Sequence, residues 1–168
     1  MTATVPTISR EHADLLETMR RHRYFLRHTV RDLNDQQAAQ RTTASELTLG
    51  GLIKHVTAVE RRWINFIRGG PETMSGSPGD WAAAFRMASG ETLAGLLEAY
   101  QQVADETDAY VATIDLDASQ PLPKAPWFEP GTRWSARRVL LHLLAETSQH
   151  AGHADIIRES LDGAKTMG

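Results

Sequence analysis

The sequence predicts an all-α fold: a four-helix bundle with long connections, filling one domain over residues 1–168. Three observations carry this. Four segments repeat apolar residues at spacings of three and four, the period of one helix face. No segment alternates with period two over a convincing length. Two stretches rich in Gly, Pro and small residues separate the helical segments, as long connections would.

The first helix is predicted over 9–33. Ser9 is its N-cap candidate, with Glu11 and Asp14 near its start. Leu16, Met19, Leu26, Val30 and Leu33 form one stripe. A short helix is expected over 35–40. Thr48 caps the second long helix, over 48–68, whose stripe is Leu49, Leu52, Val56, Val59, Trp63 and Phe66. Gly69 and Gly70, with Pro71 behind them, stop it. Residues 69–90 read as a loop that holds one short helix over 81–87. The third helix is predicted over 91–114, with Leu93, Leu96, Tyr100, Val103, Thr107, Tyr110 and Ile114 on its inner face. Residues 115–134 hold four Pro and a Gly beside Trp127, Phe128 and Trp134, a second loop rich in aromatics. Ser135 caps the fourth helix, over 135–161, and Gly163 ends it. No sheet is expected.

Composition narrows the function. The 168 residues are 41% apolar and 23% charged, as in an ordinary globular protein, and net charge is −3. No basic surplus suggests a nucleic-acid partner. No run of apolar residues is long enough to span a membrane, and no signal peptide is evident, so a cytoplasmic protein is expected. There is no Cys. Disulfides, thiolate metal sites and a protein thiol nucleophile are excluded. Any sulfur chemistry requires a thiol from outside.

The fourth helix carries the anomaly. His142, Glu146, His150 and His153 fall within an arc of roughly 80°, and Val139 and Ile157 bracket them on the same face. A carboxylate and imidazoles placed where core side chains belong need mutual hydrogen bonds or a cation. Glu146 and His150, at i and i+4, can converge on one point. A third ligand is offered by His55, at the edge of the inward face of the second helix. The segments at Thr48 and Ser135 also match at an offset of 87, which pairs His55 with His142 and makes His142 a rival ligand. Spacing alone leaves open a metal site, a solvated His-rich face and a buried hydrogen-bonded network.

Two runs carry a resemblance. LIKHVTAVERRW, Leu52 to Trp63, resembles the second helix of the DinB-like proteins, and HLLAETSQHAGHADIIRE, His142 to Glu159, resembles their last long helix. Within that superfamily the chain is similar to the mycothiol-dependent branch, which includes the mycothiol-dependent maleylpyruvate isomerase and mycothiol S-transferases. The resemblance implies a four-helix bundle with a divalent metal, zinc by default and nickel as the alternative. The implied ligands are His55, Glu146 and His150. His142 then stands behind the ligands, and His153 is placed to accept a proton or touch substrate.

A three-ligand metal keeps an open position, the mark of a catalytic site. The expected activity is transfer of mycothiol, or a similar low-molecular-weight thiol, to an electrophilic small molecule, a detoxification chemistry. Trp63, Trp127 and Trp134 are candidate walls for that substrate, together with Phe128. Arg62 and Arg158 are candidates for its polar groups. Two other readings stay open: a metal-binding stress-response bundle without turnover, and a metal-dependent hydrolase. The expected partners are the thiol and the electrophile, with neither nucleic acid nor membrane; a homodimer is compatible with this.

Overall fold

A computed structural model of the chain describes residues 8–74 and 82–166. Among these residues four long helices form the bundle: α1 (Arg10–His28), α3 (Leu49–Gly69), α4 (Leu93–Val111) and α5 (Ala136–Asp162). A one-turn helix α2 (Asp35–Ala38) lies between α1 and α3. No helix among them is long and apolar enough to cross a membrane.

The caps act as the sequence suggests. The side chains of Ser9, Thr48 and Ser135 accept from the backbone N–H three residues on, at 3.3, 3.1 and 3.1 Å. Thr92, not foreseen, does the same for α4 through Gly95, so that helix starts later than 91. Gly163 closes α5 in the left-handed conformation at φ 80°, where a side chain would be strained.

Helix α1 ends at His28, short of residue 33. Val30, Arg31 and Leu33 donate to the third residue back instead of the fourth, and Asp32 sits at φ 60°. Val30 is nevertheless buried, so the apolar period outlasts the helix. Arg158 of α5 holds this turn, donating through Nη1 to the carbonyls of Thr29 (2.8 Å) and Arg31 (2.7 Å).

The expectation of no sheet is corrected. Strands β1 (Ser119–Pro121) and β2 (Arg133–Ser135) pair antiparallel, with Gln120 opposite Trp134. The pairing closes the aromatic-rich loop at its base. It also brings the carbonyls of Ala118 and Leu116 to the first backbone N–H groups of α5, at 2.8 and 3.0 Å, which no residue of the helix can satisfy. Of the short helix expected over 81–87, the structure shows one 3-10 turn, Ala83–Phe85. Trp81 lies outside the described residues.

α1 packs on α5, α5 on α3 and α3 on α4, while α1 and α4 touch sparsely. The core has two apolar halves. One gathers Leu16, Met19, Trp63, Phe66, Val111 and Leu143; the other gathers Leu26, Leu52, Val56, Tyr100, Ala154 and Ile157. Between them each helix contributes a buried polar residue: Arg23, Glu60, Thr107 and Thr147. Arg23 grips Glu60 with Nε (3.1 Å) and Nη2 (2.6 Å), and its Nη1 reaches Asp108 at 2.7 Å. With exposures of 4% and 1%, this pair is out of water and must be fully bonded to be tolerated.

Candidate metal centre

The α3–α5 seam carries the site. His55 lies seven residues after the Thr48 cap, on the side of α3 that meets α5. Glu146 and His150 occupy consecutive turns of α5. One ligand atom from each of His55, Glu146 and His150 falls within 4.8 Å of the others. Donors gathered so closely, two nitrogens and one carboxylate oxygen, match what a divalent cation of the zinc or nickel type requires.

The environment prepares these groups. Burial, reinforced by the neighbouring His150, pushes the His55 pKa down to about 4, so its ring is neutral and keeps a bare nitrogen. Glu146 is held below the usual carboxylate range, first by its hydrogen bond with His150, against the cost of burial. His150 Nε2 lies 3.6 Å from Glu146 Oε2. That contact has Nε2–H facing the carboxylate; the other tautomer, which bares Nε2 for a metal and gives up this bond, has Nδ1–H facing His153 Nδ1, 3.4 Å away. With both imidazoles in the neutral form that metal binding requires, the triad would carry a charge of −1, which a dication would reverse.

His142 stands one turn before Glu146, its Nε2 3.9 Å from Glu146 Oε1. It is not one of the three clustered donors, although it matches His55 in distance from its helix cap. Its ring meets Trp63 edge-on at 4.9 Å and Trp134 at 5.3 Å. Burial lowers its pKa, so it too is uncharged. Trp63 and Trp134 stack at 4.9 Å and 14°, and Phe128 meets Trp134 at 5.9 Å. A continuous aromatic wall therefore leads from the loop to Glu146 by way of His142. The Arg138 guanidinium lies over Trp134, 4.3 Å from the ring centre.

Three candidates fall elsewhere. Trp127 is 74% exposed and touches the wall only through Phe128, at 6.2 Å. Arg62 is exposed, with Nη2 donating to the Met74 carbonyl at 2.9 Å, which ties α3 to the turn after it. Arg158 is 5% exposed, its guanidinium spent on Thr29, Arg31 and Asp162, so it anchors α1 to α5 and is not open to a ligand.

Sequence reasoning passed over Phe85, which stacks on His55 at 4.1 Å and 27°, and Arg138. The Gly50–Gly51 pair ahead of His55 was the available signal for the first. For the second it was a cation one turn before His142.

No curated protein matches the chain. A family model does: the one described as Mycothiol-S-transferase covers residues 14–163, nearly the whole sequence and both halves of the triad. The chain belongs to the mycothiol-S-transferase family.

Proposed function

We propose that the protein is a metal-dependent S-transferase that joins mycothiol, or a similar low-molecular-weight thiol, to an electrophilic small molecule. The observation that carries this reading is the convergence of His55, Glu146 and His150 at the seam of a family member with no Cys of its own. In the reaction a C–S bond forms, the bond from carbon to its leaving group breaks, and the thiol proton is given up.

A divalent cation on these three residues would supply an open coordination position that favours the thiolate over the thiol. The rest falls to the chain. His55 and His150 offer ring nitrogens, and Glu146 offsets part of the positive charge. His153, half-buried against His150 at 5.4 Å between ring centres, takes up the thiol proton at Nδ1 in place of its contact with His150. His142 presses on Glu146 from the opposite direction and fixes its carboxylate. Trp63 and Trp134 form an apolar boundary for the electrophile.

The test is conjugation of mycothiol to an alkyl or aryl halide by zinc-loaded protein. Conjugate is expected to form faster than with the His55→Ala variant and to cease on chelation. Stoichiometric metal with no thiol-dependent conjugation, across several thiols and electrophiles, would leave a metal-binding protein without this activity. Ester or amide cleavage without thiol would make it a hydrolase.

A further inference from the structure

Helix α3 opens on two glycines, both pressed by the segment that precedes α4. A Cβ on Gly51 would stand 1.7 Å from the carbonyl oxygen of Phe85, and one on Gly50 would stand 2.3 Å from Met87 Sδ. Glycine is required here by space alone, since neither residue has a positive φ. Thr48 Oγ1 accepts from the Gly51 N–H at 3.1 Å and donates to the Phe85 carbonyl at 3.2 Å. Lys54 Nζ donates to the Arg86 carbonyl (3.3 Å) and to Glu91 Oε2 (3.0 Å), and Arg86 pairs with Glu46. Residues 85–91 are thereby clamped to the first turns of α3.

That clamp delivers one aromatic ring. Phe85 lies 4.1 Å from His55, nearly parallel to it, and 6.0 Å from His150. On α5 the ligands have polar neighbours close by: His142 Nε2 and His150 Nε2 lie 3.9 and 3.6 Å from the Glu146 carboxylate, and His153 Nδ1 lies 3.4 Å from His150 Nδ1. Outside the triad, no polar side chain among the described residues bonds to the His55 ring. Among the described residues it makes ring contacts with Phe85 and His150 and no hydrogen bond. A histidine ligand ordinarily has its ring plane set by a hydrogen bond to its second nitrogen.

We propose that Phe85 is a positioning residue of the metal centre, setting the plane of the His55 imidazole by stacking and keeping water from that side of the triad. The Gly50–Gly51 pair is the device that lets the segment come close enough. This rests on the metal reading above, and the two fail in different ways.

The experiment follows cobalt-loaded protein by its visible absorption and by the rate of metal loss to a chelator. Phe85→Leu is expected to lose cobalt about tenfold faster than the wild type and to shift the visible bands. Phe85→Tyr is expected to behave as the wild type. Gly51→Ala, one turn before His55 and itself no ligand, is expected to push Phe85 away and to behave as Phe85→Leu. If the wild type and His55→Ala differ in cobalt binding but Phe85→Leu matches the wild type in rate and spectrum, the inference falls and the metal reading stands. If the wild type binds no cobalt, the metal reading falls and takes the inference with it. The wild-type chain supplies a check that no folding defect can blur. In metal-free protein the Phe85 ring current should move the His55 ring protons upfield, assigned by their absence in His55→Ala. Unshifted resonances would overturn the inference.

Discussion

In the proposed metal centre His55 is the ligand carried across from another helix, and its chemistry is the most exposed to test. His150→Ala should abolish stoichiometric metal, read by elemental analysis of the purified variant, because two remaining donors do not hold a divalent cation tightly. His153→Ala should keep the metal and lower turnover by about 10²-fold, the usual scale for losing a proton acceptor; loss of metal instead would make His153 a ligand and put Glu146 in doubt. The pH dependence has a definite sign. In metal-free protein His55 titrates near 4 when folded and near 6.5 when unfolded. Between those values the unfolded chain binds the extra proton, so stability falls as pH drops from about 6.5 to about 4. His55→Gln, which cannot titrate, should flatten that part of a melting-temperature profile. An unchanged slope would place the depressed group elsewhere.

Elements account for how the site is assembled. Ser135 and Thr48 cap the two helices that carry the ligands, but Thr48 is buried and also donates to Phe85. Ser135→Ala should therefore cost about 1 kcal/mol, and Thr48→Ala measurably more, in denaturant unfolding. Much of this was legible in the sequence, because hydroxyl caps, the Gly163 stop and the 3-4 apolar spacing each have one local meaning. The triad was legible only in part: the i, i+4 pair on an inward face called for a partner from a neighbouring helix, but spacing left His142 as a rival to His55, and the family resemblance chose between them. The rest depended on tertiary contact. The end of α1 is set by Arg158 reaching over from α5, which neither Val30 nor Leu33 announces. The β1–β2 pair forms because the loop must bring carbonyls to the start of α5. Phe85 reaches His55 only because glycines at 50 and 51 leave room, and the distance in sequence hides that.

Across the whole molecule, a polar layer separates two apolar halves, and the candidate metal centre lies on the α3–α5 seam beside it. Arg23 and Glu60 lock α1 to α3 within that layer. Glu60→Leu alone leaves the buried Arg23 guanidinium with Asp108 as its one carboxylate partner among the described residues and should cost about 3 kcal/mol of unfolding free energy. The double variant Arg23→Met with Glu60→Leu should recover much of it; additive losses would mean that the two are not coupled. The layer thus matters to stability, while the proposed chemistry belongs to the seam and the aromatic wall that leads to it. The most direct measurement is the rate at which zinc-loaded protein conjugates mycothiol to an aryl halide, set against the His55→Ala variant. A rate that depends on metal and on thiol, and that collapses to background in His55→Ala, is the expected result. Equal rates in the two proteins would contradict it.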